Sequence, residues 1–452
     1  MMLNPLNAIS PIDGRYRDKV ANLSEYFSES SLMRYRTRVE IEWFIFLCNV
    51  LRLKETKTLT ANEQRFLRDI YLKFDEKSAQ RIKDFEKTTN HDVKAVEYFI
   101  KEKLADTSLA LYSEFVHFGC TSEDINNLAY GLIIYEFKNK EFLPLLKNLI
   151  EKIKKMAAIY ADIAMLAHTH GQPASPTTVG KEFMNVSSRL ERQYYLFEKQ
   201  EILGKINGAT GNFNAHVISY PEINWIKASK KFVESFGFVQ NIYTTQIEPH
   251  DYIAEICDCV RRINTILIDF NRDMWMYISM DYFKQKPLKG EVGSSAMPHK
   301  INPIYFENSE GNLGLANALF GHFSEKLPVS RLQRDLTDST VLRNLGYAFA
   351  LTILAYKSIL TALDRIEVDK KIIQEDLNNN WEVLAEAVQT ILRKHKIKGA
   401  YEKLKDFTRG QKITEKLYKK FVNELNLPKE DKEKLLKLTP DKYTGMARKL
   451  CL

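Results

Sequence analysis

Stretches of more than twenty residues without proline, in which apolar side chains recur every three or four positions, run through most of this chain. That period lays an apolar stripe along one face of an α-helix; a strand would need alternation at every second residue. The segment 31–53 reads as one amphipathic helix, with Val39, Trp43, Phe46, Leu47 and Val50 near one face. Further long helical stretches are expected at about 140–165, 177–205, 247–281, 303–326 and 336–365. Such lengths suit a bundle of long helices better than a small globule, and convincing alternating strands are scarce. The expected class is all-α. A chain of 452 residues is long enough for two or three domains. Boundaries near 110 and 366 predict an N-terminal helical domain (1–110), a central long-helix bundle (111–366) and a C-terminal helical cap (367–452).

Several function classes lose support at this level. The longest apolar run, around 347–356, has ten residues, short of the roughly eighteen that a membrane span needs, and is read as a buried helix. The opening MMLNPLNAISPIDG has no basic stretch followed by an apolar core, so no secretory signal is read and a cytoplasmic address is expected. Cysteines at 48, 120, 257, 259 and 451 are odd in number and form no CxxC pair, which points to free thiols. No HExxH or zinc-ribbon spacing appears, so no metal is expected. The net charge is +8, and residues 401–452 hold 14 Lys or Arg against 8 Asp or Glu. These charges alternate with Leu, Phe and Tyr, as in LYKKFVNEL, which reads as a solvated helical surface rather than a nucleic-acid tail. A mildly basic protein also suits an anionic substrate. Neither a nucleic acid nor a membrane is expected as a partner.

Six segments could carry chemistry. KGEVGSSAMPHKINP at 289–303 is the longest break in the helical pattern. Its Gly290 and Gly293 permit movement, Ser294 and Ser295 offer hydroxyls, and Lys300 supplies a cation. Asn302-Pro303 reads as a helix start with Asn at the cap, aiming the positive end of a helix at the loop. A serine becomes a base only where cationic or amide groups stabilise its alkoxide; otherwise this is a mobile surface loop. In THGQPASP (169–176), His170 sits on a proline-stiffened turn, as a proton shuttle or as a structural donor. HFGCTSEDINN (117–127) places Thr121 and Ser122 before an apolar helix, a carboxylate-binding N-terminus or a simple capping box. TTNHDVKAVEYF (88–99) puts Asn90, His91 and Asp92 where a helix begins. SPIDGRY (10–16) and LQRDLTDSTVLRN (332–344) offer arginines beside hydroxyl or aromatic groups, suited to phosphate or to surface ion pairs.

Taken together and in order, these segments resemble the fumarase/aspartase superfamily. GSSAMPHKINP is similar to its mobile catalytic loop, in which GSS-x-MP-x-K-x-NP recurs, and THGQP and CTSED resemble its other two active-site regions. Within the superfamily the resemblance is to the adenylosuccinate lyase family in its longer bacterial form. TTNHDVKAVEYF, HF-x-CTSEDINNL, EILGKINGA-x-GN-x-NAH, TTQIEPHDYIAE and RDLTDSTVLRNLG carry it almost residue for residue, over nearly the whole chain.

The resemblance implies three all-α domains whose central helices form a twenty-helix core in a homotetramer, with active sites shared between subunits. It implies β-elimination of fumarate from succinylated purine nucleotides and no cofactor. Ser295 would be the base and His170 the acid, with Ser294 an accessory hydroxyl and His117 supporting the chemistry. Thr121, Ser122, Gln246, Lys300 and Asn302 would hold the succinyl carboxylates, and Met297 would lie in the substrate site. Arg15, Tyr16, Asn90, His91, Arg334, Ser339 and Arg343 would hold the nucleotide, with Asp92 by the purine or ribose. Two departures stand out: His168 where the family pattern has arginine before THG, and Ala296 where close relatives carry threonine. The rival readings are a sister lyase, such as argininosuccinate lyase or fumarase, a non-enzymatic structural protein on the same fold, and a nucleic-acid module on the basic cap. The nucleotide-side segments speak against the first, the intact Ser295, His170, Lys300 and Thr121-Ser122 against the second.

Overall fold

The computed structural model describes residues 4–287, 290, 296–297, 299–399, 401–402, 404–405 and 412–451. Among them helices dominate, and the strands pair only as three two-stranded ribbons. The chain is all-α, as its periodicity predicts. The long stretches become Leu143–Ile159, Val179–Glu198, Asp251–Ser279 and Ile304–Lys326, while 336–365 divides into Thr337–Leu342 and Leu345–Asp364. By length and composition Thr337–Asp364 could cross a membrane, but 72% of its most apolar window is buried in protein, as in a core helix. Two compact units form, one from Met1–Leu145, Tyr194–Thr265 and Asn312–Ala355, the other from Leu146–Gln193, Ile266–Gly311 and Tyr356–Leu452.

In the first unit the helix Glu29–Ile45 starts where the Ser28 hydroxyl accepts the Ser31 N–H at 3.1 Å. It does not continue regularly to 53. Residues Phe46–Leu51 widen into a π turn that ends at Arg52 in the left-handed region. The wider turn rotates the helix face, so Trp43, Phe46 and Leu47 are buried while Val50 is 42% exposed. Helices Ala61–Leu72, Glu76–Thr89 and Asp92–Leu104 close over the inner side of Glu29–Ile45. Ile41, Phe44, Leu67, Ile82, Val96 and Phe99 form their shared core. A second core is aromatic: Phe27, Phe137 and Phe349 pack with ring centroids 4.8–5.6 Å apart. These edge and offset contacts are the favoured geometry for such rings.

In the second unit Phe183, Phe270, Phe283 and Phe306 form the corresponding centre. The segment 169–176, read from sequence as a proline-stiffened turn, belongs to a β-hairpin of Ala164–Thr169 and Gln172–Thr178. Pro173 and Pro176 hide it in the sequence. In a two-stranded ribbon both strands have a free edge, so a missing N–H is tolerated there. Beyond it, the small helices Ala385–Lys394, Glu415–Glu424 and Lys429–Lys437 pack around Trp381 and Tyr418. Their surface is laced with ion pairs such as Lys394–Asp431 at 2.8 Å and Lys434–Glu430 at 2.7 Å.

Candidate active site

Asn90, His91 and Asp92 form the joint between two helices of the first unit. Asn90 ends the first in the left-handed conformation, φ 49°, and its N–H reaches the Glu86 carbonyl at 2.8 Å. His91 caps the second, its Nδ1 accepting the Lys94 N–H at 3.1 Å, which leaves Nε2 as the outward nitrogen of an exposed ring. The Asp92 carboxylate is clamped by two guanidinium groups, Arg36 and Arg343, each at 2.9 Å. Burial pushes its pKa up, but the two arginines outweigh that and hold it below the usual carboxylate range. Arg343 also pairs with Glu29 at 2.5 Å. Two of the nucleotide-side segments, 88–99 and 332–344, are thus joined directly. Arg15 is exposed over the Tyr16 ring at 5.8 Å. Their neighbours Ile12, Asp13 and Arg17 line a cavity of about 300 Å³ together with Arg343.

Thr121 and Ser122 begin the helix Ser122–Phe137, and the Asp124 carboxylate accepts the Thr121 N–H at 2.8 Å. Behind Ser122, the buried Glu123 pairs with Arg334 at 3.1 Å, and Arg334 reaches the Gln246 amide oxygen at 3.4 Å. Ser339 follows Asp338, whose carboxylate lies 3.4 Å from His250 Nε2. His117 stands at φ 63°, a strained backbone for a non-glycine residue, with Nδ1 2.5 Å from the fully buried Glu40 carboxylate. Burial works against a charged ring here, but Glu40 prevails and raises the pKa of His117. The nearby Cys120 thiol is pushed well up by burial, so it is no nucleophile. Two His–carboxylate pairs, one arginine–amide contact and one helix start therefore share this part of the first unit.

In the second unit His170 and Gly171 are the two turn residues of the hairpin, at φ 56° and 72°. Two positive φ values are what a tight two-residue hairpin turn requires, and they hold His170 exposed at its tip. Lys300 is exposed, its N–H bonded to the Met297 carbonyl at 3.1 Å; Met297 is 50% exposed. Helix Ile304–Lys326 begins one residue later than the sequence suggests. The Pro303 carbonyl takes its first hydrogen bonds, so Asn302 precedes the cap. Ser294 and Ser295 lie outside the described residues. No cluster of metal-binding side chains occurs among the described residues.

Four charged residues escaped the sequence reading: Arg36, Glu40, Asp124 and Lys205. Arg36 donates to Asn126 at 2.8 Å as well as pairing with Asp92. Lys205 and Asp124 are both fully buried and 3.2 Å apart. The available signal was a lysine inside EILGKINGA, flanked by apolar residues and glycines, where a solvated side chain has no obvious place.

Comparison with known proteins adds a separate line of support. Residues 14–318 match the family described as lyase, and 330–444 the one described as adenylosuccinate lyase C-terminal. The adenylosuccinate lyase of Escherichia coli K12 is 53% identical over 448 residues, 99% of this chain and 98% of that one. That of Haemophilus influenzae is 52% identical over 451 residues, 100% and 99% of the two chains. Among solved structures, a 3-carboxy-cis,cis-muconate lactonizing enzyme from Pseudomonas putida superimposes with TM-score 0.76 at 18% identity, covering 95% of each chain. A fumarate lyase from Mesorhizobium sp. BNC1 gives 0.74 at 15%, covering 95% of this chain and 96% of that one. These two likenesses bear on the fold alone.

Proposed function

This chain belongs to the adenylosuccinate lyase family, and from that premise we propose that it cleaves adenylosuccinate to AMP and fumarate. It is a carbon–nitrogen lyase of purine biosynthesis acting on succinylated purine nucleotides. The succinylated aminoimidazole carboxamide ribotide would be its second substrate. The observation that carries this reading is identity above 50% over essentially the whole length of two such enzymes. The match of 330–444 to the adenylosuccinate lyase C-terminal family separates it from sister lyases.

The chemistry asked of the site is a β-elimination. Ser295, as alkoxide, takes a proton from the succinyl carbon beside a carboxylate, and the electron pair moves into that carboxylate. The pair then forms the fumarate double bond as the carbon–nitrogen bond breaks, and His170 protonates the departing purine nitrogen. Charge builds on the carboxylate, so donors must already wait there. Lys300, Asn302, Thr121, Ser122 and Gln246 would supply them, and the half-exposed helix start at 121–122 supports this part. Ser294 and Met297 would line the loop side. Arg15, Tyr16, Asn90, His91, Arg334, Ser339 and Arg343 would hold the nucleotide, with Asp92 near its purine or ribose. His117 would be held charged by Glu40, beside the leaving nitrogen.

The same reading takes the enzyme to be a cytoplasmic homotetramer with sites shared between subunits and with domains at 1–110, 111–366 and 367–452. Large apolar side chains exposed along the long helices support the assembly: Tyr195 and Leu196, Trp275 and Met276, Ile304 and Leu315. The core of Ile41, Leu67, Ile82 and Phe99 supports an N-terminal domain. The decisive assay mixes purified protein with adenylosuccinate and follows the ultraviolet spectrum as AMP forms. Consumption of argininosuccinate or malate instead, with adenylosuccinate untouched, would overturn the assignment.

A further inference from the structure

A buried ion pair lies behind the part of the site proposed to hold the succinyl carboxylates. Lys205 and Asp124 sit 3.2 Å apart with no exposed side-chain surface. Taking two such charges out of water is costly, and a well-packed apolar pair would often be as stable or more so. Stability alone therefore gives little reason to have this pair, but its hydrogen bonds give another. Lys205 Nζ donates to the carbonyls of Gln246 at 2.6 Å and Gly208 at 3.1 Å. Asp124 accepts the N–H groups of Thr121 at 2.8 Å, Asn207 at 2.9 Å and Gly208 at 3.1 Å. Asn127 locks the lysine backbone, accepting its N–H at 2.9 Å and donating to its carbonyl at 3.0 Å. One pair of charges thus fixes three stretches of chain, 121–124, 205–208 and 245–246, and two of these hold Thr121 and Gln246.

We propose that Lys205 and Asp124 are positioning residues: they set the backbone at Thr121 and Gln246 so that both side chains meet the succinyl carboxylates. Neither charge reaches substrate; both act through the backbone they hold. This inference rests on the lyase reading above. Removing the lysine leaves the Gln246 and Gly208 carbonyls without their donor, and the 245–246 segment shifts. Displacements of that kind cost up to about a hundredfold in rate.

The test is Lys205→Met in the full-length enzyme, read as a split between the two halves of the substrate. Inhibition constants for fumarate and for AMP are measured beside kcat and KM, with melting temperature and oligomeric state as controls. The expected result is a tenfold or greater weakening of fumarate, on the order of what the loss of a supporting hydrogen bond costs at other ordered sites, with AMP inhibition unchanged. Equal weakening of both, or of neither, overturns the inference. If Lys205→Met does not fold, the doubly neutral Lys205→Met/Asp124→Asn variant takes its place. Failure of both to fold makes the pair a folding determinant and overturns the positioning role. A wild-type enzyme inert on adenylosuccinate sinks the lyase reading and this inference with it. An active wild type with an unsplit variant sinks this inference alone.

Discussion

His117 owes its raised pKa chiefly to Glu40, with Glu97 and Asp124 adding to the effect, and that makes the His117–Glu40 pair testable by pH. The Glu40 carboxylate, 2.5 Å from Nδ1, favours the charged ring against the effect of burial. A histidine whose folded pKa exceeds its unfolded value stabilises the fold fully below the unfolded pKa of about 6.5, and loses that contribution as pH rises through the folded value. Glu40→Gln should therefore lower the melting temperature most below pH 6.5, with the gap to wild type narrowing at higher pH. The expected loss at low pH is about 1.5–3 kcal/mol, the worth of a hydrogen bond to a charged group. A gap that stays constant or widens with pH would show that His117 is not held charged by Glu40. Residues of this kind are hard to read from sequence for a physical reason. The helix Glu29–Ile45 buries residues on nearly every side, so Arg36 and Glu40 look like the polar stripe of an amphipathic helix while lying inside. Arg36 and Glu40 appear as charges at ordinary helix positions, and only the tertiary partner reveals them; Lys205 alone carried a hint, in its apolar and glycine-rich neighbours. The candidate hydroxyls, amides and His170 drew attention instead because they stand at breaks in the helical pattern, where polar residues recur in recognisable order.

Two glycines carry much of the geometry at the level of elements. Gly171 has φ 72°, with open space where a side-chain methyl would stand. Gly171→Ala should cost only the backbone penalty, about 1–2 kcal/mol, felt as a loosened hairpin tip. His170→Asn separates fold from chemistry at the same turn, because asparagine tolerates the left-handed conformation. The melting temperature should stay near that of wild type while kcat falls by roughly 10²–10⁴, the usual worth of a proton-transfer group. Near-normal turnover in His170→Asn would remove His170 from the acid role. Gly119 is the harder case, since a methyl there would stand 2.7 Å from His216 Nε2 at φ 71°. His216 is buried with both ring nitrogens lacking a hydrogen-bond partner among the described residues, and Trp43, Phe213 and Trp225 pack around it. Gly119→Ala should destabilise by about 2–3 kcal/mol, combining backbone strain and overpacking. In a double-mutant cycle with His216→Ala, about 1 kcal/mol or more of coupling should return, because the clash is relieved while the φ strain remains. Additive effects would place the cost wholly in the backbone. Long helices were readable from their period, whereas the hairpin was not. Its strands are short, hold two prolines and have one buried end only, so neither alternation nor a strand-like composition marks them.

At the scale of the whole molecule, the residues proposed for one reaction fall in two separately packed units. His117, Thr121, Ser122, Gln246 and the nucleotide-side arginines belong to the first; His170, Lys300 and Asn302 belong to the second. Ordered motifs told which residues to expect, because they report the chemistry that a loop must perform. They carried no information on whether one copy of the chain or several supply these loops. The proposed homotetramer makes a quantitative claim that a monomer cannot imitate. His170→Ala and Ser295→Ala are each expected to be inactive. If every site draws its 170 segment and its 295 segment from different copies, an equal mixture reassembled at random leaves both segments intact in about a quarter of the sites. The mixed sample should recover about that share of wild-type kcat, with KM unchanged, since the restored sites are wholly wild type in sequence. Two different inactivating substitutions at 170 alone should recover nothing when mixed, because no site could then draw an intact 170 segment. Exchange of subunits is confirmed beforehand with two mass-distinguishable tags. Full exchange without recovered activity would show that one copy supplies both segments, and the shared site would give way to a site complete within a single chain.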